Sequence, residues 1–291
     1  MKIVSLDENI RIDKYLSNQT NYSRTTIDKM LKENLITVNN KIVKPSYKVS
    51  IDDQIELPDN YQEELNIKPA KMDIEIVYED DDLMIINKPS GLVVHPGAGN
   101  YDNTLVNGLI YYTNDLSDDD IRPGIVHRID KDTSGLMVVA KNNIVHEKLS
   151  EMFKKHDIKR TYIALLCGVL PHDKVSVDAP IGRDIKNRKK MNVVKDGKNA
   201  ITHLSVLKRY HDYTLVKLNL ETGRTHQIRV HMNYIGYPIF NDPLYGKEVI
   251  NGFGQFLHSS HIEFNHPITN ELIEYSCDLP KEFQDYLETL D

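Results

Sequence analysis

Two stretches concentrate the residue types that perform chemistry. The first, Arg122 to Lys141 (RPGIVHRIDKDTSGLMVVAK), places His127, Arg128, Asp130, Lys131 and Asp132 where an apolar run gives way to a turn. A carboxylate among cations and an imidazole can serve as nucleophile or general base, and polar groups at the end of a buried strand are a common active-site layout. A turn whose Asp and Thr side chains cap backbone amides would give the same pattern. The second stretch, Leu220 to Met232 (LETGRTHQIRVHM), carries Arg224, His226, Gln227, Arg229 and His231 behind a strand-ending Gly223. With Thr225 as its cap, this pattern predicts a helix over 225–235 in which Ile228, Met232 and Ile235 share a face. Arg229, about 100° around that helix from Ile228, can turn inward beside the apolar face. A buried Arg needs a carboxylate, and Asp130 is a candidate. His226 and His231 lack the HExxH spacing and the intervening Glu of a helical zinc site.

The elements that must position these groups are strand-rich. β-type runs at 74–79 and 83–88 flank an acidic turn, a helix is expected over 103–112, and strands over 124–130 and 135–141 bracket the first stretch. An amphipathic helix over 142–156 follows, then strands over 159–167, 202–210 and 213–221. Strands over 258–265 and 271–277 and a helix after Pro280 complete the pattern. Many strands with few helices predict an α+β (mixed α/β) fold on one extended sheet. Residues 1–58 read as a separate module, with a helix behind Ser23 that puts Ile27, Met30 and Leu31 on one face. Asn39 and Asn40 then separate two β-type runs and suit a hairpin turn. Polar residues 59–72 read as a linker, which leaves 73–291 as the second domain.

The composition, 40% hydrophobic and 27% charged over 291 residues, excludes a disordered chain and allows about two domains. Cys167 and Cys277 form no CxxC, which excludes a disulfide scaffold and a thiolate zinc site and fits a reducing compartment. The opening MKIVSLDENI lacks the apolar stretch of a signal peptide, and no apolar run approaches a membrane span, so a cytoplasmic protein without a membrane partner is expected. Neither GxGxxG nor GxxxxGK[ST] occurs in a nucleotide-binding context. The net charge of −7 hides segregation: +1 over 1–58, −10 over 59–123, +10 over 124–232 and −8 over 233–291. The basic block, with Lys154, Lys155, Lys159, Arg160 and the run from Arg183 through Arg188, Lys189 and Lys190 to Lys198, suits a phosphate backbone. A solvated face paired with the acidic blocks would carry the same charge.

Both chemical stretches closely resemble signature motifs of the RluA-type pseudouridine synthases, especially the branch that modifies large-subunit ribosomal RNA. The residues concerned are His127-Arg128-Ile129-Asp130 through Thr133-Ser134-Gly135, then Lys159-Arg160-Thr161-Tyr162-Ile163-Ala164, then Gly223 through His231. Residues 1–58 resemble the ribosomal-protein-S-four-type (alpha-L) RNA-binding module through Arg11-Ile12-Asp13, Leu16, Ser23-Arg24 and the hairpin ending Val38-Asn39, with Asn34 and Asn40 where glycines are usual. The resemblance implies the pseudouridine synthase fold, with an extended, mostly antiparallel sheet, and isomerisation of uridine to pseudouridine in structured RNA without metal or cofactor. It implies Asp130 as the catalytic aspartate, acting on the sugar or the base, Arg229 as the arginine that pairs with it, and Tyr162 as the tyrosine stacked on the target base. The uridine must be turned out of folded RNA, and Arg128 is placed to occupy the vacated space or to hold a phosphate. His127, Arg224, His226 and Gln227 are expected as further substrate contacts, and Arg24, Lys154, Lys155, Arg183, Arg188, Lys189 and Lys190 as RNA contacts. A monomer is the default. The competing readings are a synthase acting on transfer RNA, a non-catalytic RNA-binding or ribosome-assembly factor, and a metal-dependent hydrolase using His95, His127, His226 or His231.

Overall fold

Short elements at the N-terminus build the first of two units, Met1–Leu65: β1 (Lys2–Val4), α1 (Ile12–Gln19), α2 (Arg24–Lys32), β2 (Thr37–Val38), β3 (Lys41–Ile42) and β4 (Gln54–Glu56). The computed structural model describes residues 1–20, 22, 24–59, 61, 67–97, 102–113, 116–117, 123–187, 189–246, 249 and 252–290. Asn39 and Asn40 both adopt positive φ, 51° and 61°, as a two-residue type I′ turn between β2 and β3 requires. The expected face of α2 is real: Ile27, Met30 and Leu31 pack on Ile12, Leu16, Ile36 and Ile55. Ser23, the expected cap of that helix, lies outside the described residues. Tyr61 belongs with this unit, since its hydroxyl donates to Glu33 and its amide to Tyr22 Oη. The later part of the expected linker belongs with the second unit, where the Lys68 carbonyl accepts from Asn107 and the Ala70 amide donates to the Asn107 carbonyl.

The second unit, Asn66–Asp291, opens with β5 (Glu75–Glu79), β6 (Leu83–Lys88), α3 (Leu105–Tyr112), β7 (Ser134–Ala140), α4 (Asn143–Lys155), β8 (Lys159–Cys167) and β9 (Lys174–Asp178). It continues with β10 (Ile181–Arg183), β11 (Met191–Val193), β12 (Ile201–Arg209), β13 (Tyr213–Leu220), α5 (Gln227–Tyr234), β14 (Leu257–Asn265), β15 (Leu272–Ser276) and α6 (Lys281–Glu288). Nine strands form one sheet in the order β5-β6-β7-β14-β8-β13-β12-β9, with β15 also on β14. Every pairing in it is antiparallel except that of β7 with β14. All seven residues of β7 are buried because the sheet is covered on both faces. Met137 and Val139 enter one core with Met84, Ile86 and Leu105, and Leu136, Val138 and Ala140 enter another with Val145 and Leu149 of α4. Gly135 is required at the β7–β14 junction: its φ is +109°, and a Cβ there would lie 2.2 Å from the Ser259 carbonyl oxygen.

Two expectations of the sequence need correction here. Residues 124–130 are not a strand; only Ile125 bridges, to Val139. The β14 pairing of β7 covers only Ser134 and Gly135, and the His127 imidazole occupies the Val138 amide instead of a backbone carbonyl. The α5 helix begins at Gln227 rather than Thr225, behind His226 in the left-handed region (φ 57°), with no side-chain cap. The small sheet of β10 and β11 had no counterpart in the sequence reading. Among the described residues, no helix is long and apolar enough to cross a membrane.

Candidate active site

The segment leading to β7, the end of α4, β8 and the start of α5 enclose a cavity of about 510 Å³. Asp130 and Arg229 line it together, with Arg229 Nη1 donating to Asp130 Oδ2 at 2.8 Å. The rest of the guanidinium fork is spent on a residue the sequence reading missed. Nε and Nη2 donate to Asp242 Oδ2 and Oδ1 at 2.7 and 2.8 Å. Asp242 is fully buried, and its Oδ1 also accepts the amides of Leu244 and Tyr245. Burial pushes its pKa up, but the Arg229 bonds and these amides outweigh that and hold it below the usual carboxylate range. Burial likewise opposes the Arg229 charge, yet Asp242 and Asp130 together raise its pKa. A bidentate pair fixes both the position and the plane of a guanidinium, so Asp242 aims Nη1 at Asp130. Its stretch, Asn-Asp-Pro-Leu-Tyr-Gly, has the composition of a turn and no apolar periodicity.

Tyr245, from the same turn, lies 5.2 Å below the Arg229 guanidinium, and its hydroxyl meets His226 Nδ1 at 2.9 Å. His226 Nε2 is 3.8 Å from Asp130 Oδ1, and burial lowers the imidazole's pKa. A non-glycine residue at positive φ beside the Asp130–Arg229 pair is local strain of the kind active sites hold. The loop that carries Asp130 is pinned from below by Lys88, only 1% exposed, whose ammonium donates to the carbonyls of Pro89, Leu92 and Lys131 at 2.8–2.9 Å. Burial pushes the Lys88 pKa down to about 7.

Tyr162 lines the cavity from β8 and packs in the main core at 5% exposure. Arg128, exposed, and Lys154 also line the cavity, and so does Arg224, whose Nε donates to the Asn199 carbonyl. Gln227 is a brace in this structure rather than a free contact. Its carbonyl accepts from Thr222 and the Arg224 amide, and its NH2 donates to Ile201 and Thr202. His231 is a satisfied core histidine held by Thr202 and Ala179. Among the expected RNA contacts, Arg24 pairs with Asp13 at 2.6 Å and Lys155 with Glu151 at 2.8 Å. Arg183 and Lys189 are exposed on or beside the β10–β11 hairpin, and Lys190 lies over the Tyr245 ring at 5.6 Å. Arg188 lies outside the described residues.

Two imidazoles are held neutral. His127, stacked on Phe153, is pushed down to about 3 by burial and by the nearby Arg160 charge, and burial pushes His258 down to about 4. The unfolded chain takes up these protons near the ordinary pKa of about 6.5, so between there and the folded values it binds more protons than the native state. Stability therefore falls with acidification below pH about 6.5, by up to about 1.4 kcal/mol per pH unit for each residue. Urea unfolding at pH 7 and pH 5 is expected to show this loss. Equal stabilities would mean that both rings are charged in the fold.

Residues 82–234 match the RNA pseudouridylate synthase family, and residues 10–55 match the S4 domain. The first match runs through Asp130, Tyr162 and Arg229, and the chain belongs to the RNA pseudouridylate synthase family, a family of isomerases. It is 47% identical over 284 residues to YlyB, an uncharacterised RNA pseudouridine synthase of Bacillus subtilis (strain 168), across 96% of this chain and 94% of that one. To the ribosomal large subunit pseudouridine synthase D of Haemophilus ducreyi it is 42% identical over 296 residues, across 96% of this chain and 90% of that one. Human RNA pseudouridylate synthase domain containing 1 shares the fold, with a TM-score of 0.60 at 25% identity over 77% of this chain and 97% of that one.

Proposed function

We propose that this protein isomerises specific uridines in large-subunit ribosomal RNA, with Asp130 as its catalytic carboxylate. The observation that carries the site assignment is the pairing of Asp130 with a guanidinium that Asp242 holds in place, inside a cavity that Tyr162 also lines. The substrate reading draws on relatives named ribosomal large subunit pseudouridine synthase D. In the reaction the bond from ribose to the uracil nitrogen breaks and a bond from ribose to a ring carbon forms. A proton leaves that carbon and one is gained at the freed nitrogen, so no atoms are lost and nothing is oxidised.

Asp130 attacks the sugar or the base, or removes a sugar proton, while Arg229 balances its charge and fixes its orientation. Tyr162 stacks on the uracil, and Arg128 takes the space the flipped nucleotide leaves. Phosphates run along Lys154, Arg183, Lys189 and Lys190, which position the RNA without reading its sequence. Residues 1–58 add a second RNA-binding module, joined through 59–72 to the catalytic domain over 73–291. The protein works as a cytoplasmic monomer.

The test is incubation of unmodified large-subunit rRNA transcript with purified enzyme in the presence of chelator, followed by adduct-dependent reverse-transcription stops. Stops at defined positions are the expected result. Their absence there with stops on transfer RNA would move the substrate, and absence on both would overturn the enzymatic reading.

A further inference from the structure

One buried cation in the cavity wall has no use in the scheme above. Arg160, on β8, is only 8% exposed, and its Nε–H is buried without a partner. Among the described residues it makes no ion pair; its guanidinium lies 5.3 Å from the Phe153 ring centroid. His127 stacks on the same ring at 4.3 Å. Because His127 Nε2 accepts the Val138 amide, the neutral ring carries its proton on Nδ1, and that atom too is buried with no acceptor. Both side chains line the cavity that holds Asp130, and Lys154 and Arg224 line it with them. Gly223 keeps the space open, since a Cβ there would stand 3.2 Å from Arg160 Nη1 and crowd the guanidinium.

Burying a guanidinium without a carboxylate, next to an imidazole N–H that is also unanswered, costs stability that the fold recovers only when a ligand completes the site. The ligand must be an acceptor, and an anionic one, because a neutral carbonyl would leave the charge uncompensated. A planar fork of N–H donors matches two oxygens of a phosphate. We propose that Arg160, together with the Nδ1–H of His127, binds a phosphodiester group of the RNA close to the target nucleotide. This subsite rests on the RNA-modifying reading given above and adds to it a built anion site within the catalytic cavity, apart from the exposed lysines of the hairpin.

The test uses the full chain and the unmodified large-subunit rRNA transcript, and compares wild type, Arg160→Met and Arg160→Lys. For Arg160→Met, RNA affinity is expected to fall on the order of 10-fold, and the slope of log affinity against log salt to become shallower by about 1. The melting temperature should stay level or rise, because an unpaired charge leaves the interior. Arg160→Lys should keep the wild-type slope. Unchanged affinity and slope would overturn the proposal. So would weaker binding at an unchanged slope, which would assign Arg160 to a neutral atom of the base, and so would a large loss of melting temperature or failure to fold, which would make Arg160 a structural brace. A wild type that binds the transcript but forms no pseudouridine would instead overturn the enzymatic reading and leave the phosphate subsite to be judged on binding alone.

Discussion

Asp130→Asn is expected to abolish pseudouridine formation, by on the order of 10⁴-fold or more in a single-turnover assay, as loss of a reacting group does elsewhere. Asparagine keeps the shape of the side chain and leaves an oxygen facing Arg229 Nη1, but it removes the negative charge and its capacity to attack or to accept a proton. The fold should tolerate this change. Two of the three guanidinium nitrogens are held by Asp242, and the Asp130 side chain is 18% exposed, so Arg229 stays paired. RNA affinity should remain within a few-fold, because binding draws on the basic residues around the cavity and along the hairpin. Gel-shift titration beside the single-turnover assay checks both halves. Turnover retained near the wild-type level would remove Asp130 from the reaction.

How much of this was legible in the sequence depends on range. Local signals were read well. The Asn39-Asn40 turn, the strand from Lys159 to Cys167 and the helix that Asn142 caps by accepting the Val145 amide all follow from residues close together in the chain. The inward turn of Arg229 followed from helical spacing; the rule that a buried Arg needs a carboxylate made Asp130, 99 residues away, a candidate partner, and the family resemblance singled it out. That rule asks for one carboxylate and gives no hint of a second. Asp242 was missed because its bond to Arg229 is tertiary and its own neighbourhood is a turn. Lys88 was missed for the opposite reason: lysine is seldom buried, and nothing in Asn-Lys-Pro-Ser announces three carbonyls converging on one ammonium. The segment 124–130 misled because its apolar residues do pack inward, while the ladder bond it would need at Val138 is taken by His127. Gln227 shows the limit of motif reading, since its place beside reactive residues reflects a role in holding β12 to the start of α5.

The three-part array Asp130–Arg229–Asp242 raises the question of whether Asp242 matters for stability or for chemistry, and one set of variants separates the two. Asp242→Ala strips a buried guanidinium of its bidentate partner, which is expected to cost about 3–5 kcal/mol of stability. It should also lower kcat on the order of 10²-fold, because Nη1 is no longer aimed and small displacements of a catalytic group carry losses of that size. Loss of activity in that variant alone proves little, since the protein would be less folded. The decisive variant is Arg229→Met with Asp242→Leu, which replaces the inner pair by apolar side chains of similar volume. Such replacements are commonly neutral or stabilising, so urea unfolding is expected to recover most of what Asp242→Ala lost. Turnover should not recover, because Asp130 now faces no cation. Recovery of both would reduce the array to scaffolding around Asp130. Recovery of stability without turnover would make Arg229 part of the chemistry and Asp242 the residue that positions it, and the geometry favours this outcome: Asp242 lies fully buried, while Asp130 lines the cavity that must admit the nucleotide.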